Sequence, residues 1–482
     1  MALRGTLRVV FALAIALPLF APMASAQTRY TITNLGLSVG SDGAAETQAN
    51  GVNNSGQVAG ISTTVLGDTY AFYSTGPSGP LEPVGALNSG TGINDSGLVC
   101  GFVLQGFKGV KPAPQSRGPG SGTPPTYGPV YPALTTLTYG YLQDTKTNAV
   151  YDLQTLSGGT TSCALGINNN GLITGYADIS TGAVHAIISD SQTNIHDVGT
   201  LPNYPDSYGL GINATGQIAG ELVNSTTIHA FLTGANGASM RDLGVLSGGS
   251  KSTATAVNAS GQVTGQADTS TGALHAFYSD ANGGTFHDLG TLGGSTSQGN
   301  GINDSGEVVG YSYMPGNTIA HAFVTSNGTM VDLNTLVSGT NPFAYLETAT
   351  GVSNSGYISG YAVDNSGNTV AFAASPVSGD ATPFSGASLG NGLYDSSWFG
   401  YYSYTSYPLV YQYYLGYEYV YSAGGGVTLY DYKSGHFWYT QSNYFPFIYD
   451  FTLNCYLYYY DANTPKRHFY EYSASNPGVI TE

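Results

Sequence analysis

Charge is scarce in this chain. Charged residues make up 9% of its 482 positions, against about a quarter in an average soluble protein. With 68 glycines, which are poor in helices, that composition argues against a helix-rich cytosolic enzyme. Basic residues number only 12 against 29 acids, for a net charge of -17. That sign removes the electrostatic term that drives nucleic-acid binding and disfavours anionic membrane surfaces. Cysteine is rarer still. Cys100, Cys163 and Cys455 are odd in number and widely spread, which is not a disulfide framework. A Cys100–Cys163 pair in an oxidising compartment stays open, because spacing does not decide it. There is no CxxC, which argues against a thiolate metal site.

Long apolar runs are also missing, apart from one at the N-terminus. Arg4 and Arg8 precede the apolar stretch Val9–Phe20, and Ala24-Ser25-Ala26 follows as a small-residue cleavage site. Residues 1–26 therefore read as a secretory signal, with Gln27 as the first mature residue. The run is too short for a spanning helix, which needs about 20 apolar residues, and Pro18 breaks it. Without those two arginines the mature chain holds 10 bases against 29 acids. An exported protein with no membrane span in its mature chain is expected, in the extracellular space, at the cell surface or in the periplasm.

What the chain has in abundance is repetition. Gly51-Val-Asn-Asn-Ser-Gly-Gln-Val-Ala-Gly60 returns as Gly92–Gly101, Gly166–Gly175, Gly211–Gly220, Ala256–Gly265, Gly301–Gly310 and Gly351–Gly360, seven copies in all. The three intervals from 166 to 301 are each 45 residues. Each unit carries four short strand signals. Around 212, Gly-Ile-Asn ends one strand, Asn213-Ala-Thr-Gly216 makes a tight turn and Gln217-Ile-Ala-Gly220 starts the return. Asn and Gly suit that turn because both tolerate positive φ and Asn can bond its own backbone. His229-Ala-Phe-Leu232 is a third strand, and Met240–Leu246 a fourth. Four strands in about 45 residues is the size of one propeller blade.

The ends of the array predict closure. The Asp-Leu-Gly type of fourth strand occurs at 152–156, 197–201, 242–246, 288–292 and 332–336, with a degenerate copy at 83–87. A seventh copy stands out of order, as Thr31-Ile-Thr-Asn-Leu-Gly36, while the last unit lacks its own. The N-terminal strand therefore completes the last blade. An all-β fold, a seven-bladed β-propeller spanning 27–376, follows; an open β array is the alternative. Closure removes exposed strand edges.

His229-Ala-Phe, His275-Ala-Phe and His321-Ala-Phe, with Asp288-Leu-Gly-Thr-Leu292, resemble the bacterial extracellular HAF-repeat family. His185-Ala-Ile is a variant, and Ala71-Phe and Ala371-Phe keep the last two letters. The resemblance covers about residues 28–376 and implies an exported repeat protein. It brings no established catalytic residues.

One unit is oversized. The interval from 92 to 166 is 74 residues, and the excess maps to about 108–135, rich in proline and carrying Lys108, Lys111 and Arg117. It falls between the second and third strands of blade two and reads as an extended loop. It is either a binding loop or a tolerated insertion.

After a linker at 377–392 the composition changes. Residues 393–472 hold 22 of the 39 tyrosines and both tryptophans. Segments beginning Tyr407-Pro-Leu-Val and Phe445-Pro-Phe-Ile echo each other, and alternation such as Tyr417-Glu-Tyr-Val-Tyr421 suits strands with one aromatic face. The segment 393–476 is expected to form a small β module of two aromatic hairpin repeats. Its composition is loosely similar to aromatic hairpin repeats of wall-binding modules. Exposed rings there, with Trp398, Tyr402, Trp438 and Tyr439 as the candidates, would stack on sugars or meet a protein partner. Packing of most of these tyrosines into a small core is the competing reading.

Chemistry elsewhere is explained by the repeat. His185, His229, His275 and His321 occupy one repeat position in separate blades, so each is expected to serve a local contact rather than a metal, which needs converging ligands. His196 and His287 follow the same logic. Among the Asn-x-Ser-Gly turns only Asp95 and Asp304 place a carboxylate at the second position, short of a calcium cage. No catalytic residues, cofactor or metal are assigned, and nothing indicates oligomeric state. The function expected is an exported, non-enzymatic binding or structural protein whose partner is an extracellular glycan or surface protein. The alternative is a propeller hydrolase or lyase acting on polysaccharide in the axial funnel.

Overall fold

The computed structural model describes residues 28–37, 44–65, 68–84, 89–104, 137–190 and 193–377, and strands between 387 and 481. The signal at 1–26, the insertion at 108–135 and Trp398 lie outside the described residues. The chain divides after Val377 into two compact units.

The first unit is a seven-bladed β-propeller of four-stranded antiparallel sheets. Six blades are continuous in sequence: Ala44–Pro83, Ser89–Asp152, Ser162–Gly199, Asp206–Gly244, Ser252–Asp288 and Ser297–Asp332. The seventh combines Tyr345–Val352, Ile358–Val363 and Thr369–Pro376 with the N-terminal strand Tyr30–Asn34. That strand runs antiparallel to Thr369–Pro376, with Tyr30 opposite Pro376 and Asn34 opposite Phe372. Tyr30 and Ile32 are buried in the last blade's core. The Ser338 and Val377 amides bond the carbonyls of Tyr30 and Arg29, each at 2.8 Å. The expected closure by strand addition is therefore observed.

Each blade stacks on the next through its repeated letters. The Ala of the His-Ala-Phe triplet has no exposed surface at 71, 186, 230, 276, 322 and 371, and Phe72, Phe231, Phe277, Phe323 and Phe372 are fully buried. These rings explain the last glycine of the motif. At Gly220, Gly310 and Gly360 a Cβ would collide with the Phe ring and with a first-strand carbonyl. Gly101 meets Tyr141, which stands in for Phe in blade two, in the same way. The oversized unit has its excess where expected, between the second strand Leu98–Leu104 and the third, Leu137–Asp144.

The second unit departs from the two-hairpin expectation. It is one antiparallel sheet of eleven strands, each paired with its sequence neighbours, from Ala387–Gly390 to Gly478–Thr481. The sheet begins inside the stretch read as linker and runs past residue 476. Successive short strands joined by turns extend a meander rather than closing two separate hairpins.

Removing residues 28–35 takes away two buried side chains and bares the edge of Thr369–Pro376. The expected loss is about 3–6 kcal/mol, or roughly 10 °C in melting temperature, with concentration-dependent association at the bared edge. Thermal melting followed by light scattering checks both.

Candidate functional site

The recurring histidines of the repeat act as ties. His Nδ1 lies 2.9 Å from the Asp197, Asp242 and Asp288 carboxylates for His185, His229 and His275, and 2.8 Å from Asp332 for His321. Each pair joins the third strand of a blade to its fourth. The same carboxylates accept the backbone N–H two residues on, from Gly199, Gly244, Gly290 and Asn334. Where that residue is glycine its φ is positive, which lets the chain turn toward the next blade. Burial alone would raise the Asp332 carboxyl, but hydrogen bonds from His321 and Asn334 outweigh it and hold the group below its ordinary value. Each of these histidines thus makes a local contact within its own blade. His287 is tied differently, with Nε2 2.9 Å from Asp280.

A second tie was not read from the sequence. Ser207, Ser252 and Ser297 accept the amide of the preceding blade's triplet Ala and donate to the carbonyl of its Asp-Leu-Gly glycine. Thr47 does the same between Ala371 and Gly36, so the N-terminal strand is clamped like any other fourth strand. The signal was present as a serine recurring at the repeat interval.

The third tie lies at the axis. Asn53 Oδ1 accepts the Ser55 and Gln57 amides, each at 3.0 Å, which shapes the turn. Its Nδ2 donates to the Asn94 carbonyl of the next blade at 3.0 Å. Asn94, Asn168, Asn213, Asn258 and Asn303 repeat this pattern, the last reaching Ser353. One side chain thus sets a turn and bonds the neighbouring blade, and the seven turns form a belt around the axial mouth.

This mouth is the candidate site in the propeller. It encloses a cavity of about 220 Å³ lined by Asn53, Asn168, Asn213, Asn258 and Ser353 and by the position after the motif's Asn or Ser in all seven turns. Asp95 and Asp304 supply its carboxylates, and both are engaged. Asp95 accepts from the Asn54 amide and from the Asn54 and Asn169 carboxamides. Asp304 accepts from the Ala259 amide and the Asn354 carboxamide. The lining is otherwise carboxamide, alanine, branched aliphatic and the Ser353 hydroxyl.

Buried between blades four and five is Glu221, whose Oε2 accepts from Thr253 Oγ1 at 2.8 Å. Burial pushes its carboxyl up to about 7, only partly offset by that hydrogen bond. Nothing in the repeat forecasts it. Cys100 and Cys163 are both free and buried, so the pairing left open by spacing is not made. Desolvation pushes the Cys100 thiol up to about 11.

In the second unit the candidates separate. Trp438 is 1% exposed, and its indole N–H donates to Asp450 at 2.9 Å across the strand pair. Its expected role as an exposed stacking ring is thereby corrected: the ring is packed, and its one polar atom is satisfied inside. Tyr402 stands on the strand Gly400–Ser406 opposite Gln412, whose register puts it on the Trp438 face. Tyr439 stands on the other face, opposite Tyr449.

No protein-family model matches the chain, and no curated protein does. Among solved structures, TolB from Acinetobacter baumannii is similar over 57% of this chain at 11% identity and a TM-score of 0.35; the chain spans 62% of that protein's length. BP39L lectin from Burkholderia pseudomallei is similar over 68% of this chain and 96% of its own, at 12% identity and 0.34. Trypanosoma rangeli sialidase is similar over 94% and 88%, at 9% and 0.31. At these values the likenesses carry no functional weight. Among the described residues no helix is long and apolar enough to cross a membrane.

Two outcomes follow from the ties. Asn258→Ala removes the turn acceptor and the bond to Asn303, and is expected to cost about 2–4 kcal/mol in urea unfolding. Asn258→Asp keeps the acceptor and loses only the donor, so it should fall between. Glu221 holds its proton in the fold up to about pH 7 but releases it near 4.5 when unfolded. Its presence therefore costs nothing below about pH 4.5 and progressively destabilises as pH rises to about 7, by up to roughly 3 kcal/mol. Glu221→Gln should match the parent at pH 4.5 and exceed its stability at pH 7.5, as read by denaturant midpoints.

Proposed function

We propose that this is an exported, non-enzymatic binding protein. The propeller is its scaffold, of the type that the HAF-like repeat implies, and the tyrosine-rich sheet attaches it to an extracellular glycan or surface protein. The observation that carries this reading is the use of the repeat's polar side chains. The triplet histidines and the belt asparagines are engaged in holding strands and blades together, and four equivalent His–Asp pairs in four different blades do not converge on one substrate. A hydrolase in the funnel needs a carboxyl group available to act as acid or base, whereas Asp95 and Asp304 both accept hydrogen bonds from neighbouring blades. Export is supported by the charged, apolar and small-residue segments at 1–26. The chemistry left for recognition is aromatic, and it is concentrated in residues 393–472.

The full exported chain is expected to be retained on insoluble cell-wall preparations and to release no reducing ends from polysaccharides incubated with it. Polysaccharide cleavage lost in Asp95→Asn or Asp304→Asn, with an unchanged melting temperature, would reverse the reading in favour of an enzyme.

A further inference from the structure

The register of the eleven-stranded sheet sorts its positions onto two faces. Residues directly opposite in an antiparallel pair share a face, and neighbours along a strand do not. Tyr439 is opposite Tyr449, Tyr449 opposite Tyr456, and Tyr456 opposite Tyr472. Four tyrosines on four successive strands thus form an unbroken cross-strand row. Phe447, Tyr458 and Tyr470 make a second row beside it on the same face. Tyr419, Tyr430 and Phe437 extend the aromatic character over the preceding strands.

The opposite face has another composition. It takes Leu429, Trp438, Ile448 and Leu457, of which the last three are buried, and the paired aromatics Tyr459 and Phe469. It also takes the acids Glu418, Asp431, Asp450 and Glu471. Between Gly416 and Tyr472 every acid placed on a described strand falls on this face, in a chain of net charge -17. The tyrosine face receives no Asp, Glu, Lys or Arg there. Tyr449 is half-buried while its strand neighbours Ile448 and Asp450 are fully buried.

We infer that the tyrosine face binds an extended, uncharged polysaccharide laid across the strands along Tyr439, Tyr449, Tyr456 and Tyr472; this rests on the attachment role proposed above. Neighbouring strands lie ~4.8 Å apart, close to the length of one pyranose residue in an extended chain. One aromatic position per strand therefore supplies one ring per sugar. Tyrosine combines a flat apolar body for the C–H face of a pyranose with a hydroxyl for its rim. The charge pattern selects the class. At the described strand positions of this face a polyanion would find neither Lys nor Arg, only His468 at one end, and an acidic ligand would face an acidic chain, while a neutral glycan needs no counter-charge.

The test uses the full chain with amorphous cellulose and curdlan as neutral polymers and alginate beads as the anionic one. Retention on a neutral polymer is expected. Tyr439→Ser/Tyr449→Ser/Tyr456→Ser should weaken it by roughly tenfold or more, the matching Phe triple should keep most of it, and Trp438→Phe on the other face should leave it unchanged. Nitration of the parent protein by tetranitromethane, mapped by mass spectrometry, gives a readout independent of the variants' folding. Soluble neutral oligosaccharide should protect the tyrosines of the row. Retention unchanged in a folded Ser triple, or no protection of the row, would overturn the face while leaving attachment standing. Retention on alginate alone would overturn the neutral class. No retention on these polymers or on cell-wall preparations would remove the attachment reading itself.

Discussion

The structure depends on hydrogen bonds that cross from one blade to the next at the innermost strands. A propeller has no central core; its blades meet face to face and must be held at a fixed angle around an axis. Here a carboxamide does this at one end of six of the seven inner strands. Its oxygen closes the turn and its nitrogen reaches the neighbouring turn, from Asn53 through to Asn303. Because one side chain does both, turn geometry and blade spacing cannot drift apart. Ser or Thr hydroxyls fix the outer strands to the next blade in the same double manner.

These ties account for the motif's spelling. Phe fills the space between strands and blades, and the glycine facing it has no room for a side chain. His and Asp join the two outer strands, where a lone strand pair would otherwise be weakest. Variation is tolerated where part of a tie is kept, as Tyr141 replaces Phe against Gly101 and the Ser353 hydroxyl takes over the turn amide of Tyr357. The last unit's missing strand is supplied from the other end of the chain, so the ring gains closure from contacts between residues more than three hundred apart in sequence.

Much of this was legible before any coordinates. A 45-residue period, four strand signals per period and an out-of-order Asp-Leu-Gly copy are enough to count blades and to say which strand closes the ring. The belt was only half legible, because an Asn that can bond its own backbone says nothing about a partner 45 residues away. The candidate residues depend on register. Trp398 lies outside the described residues, Tyr402 and Trp438 fall on the face opposite Tyr439, and Trp438 is buried against Asp450. Tryptophan was a stacking candidate by type alone, but composition cannot say which face of a strand a residue takes when the register is unknown.

The division is a matter of range. Periodicity, turn chemistry and glycine placement act within a few residues, and repetition multiplies them into a readable signal, so the linear order of the chain determined the blade, the number of blades and the mode of closure. Which side chains meet across blades, that Glu221 is enclosed between two of them, and that Tyr439, Tyr449, Tyr456 and Tyr472 align in one row while the strand acids gather on the other face were decided only in three dimensions. Those outcomes depend on register and on inter-blade packing, where a shift of one residue exchanges the two faces of every strand.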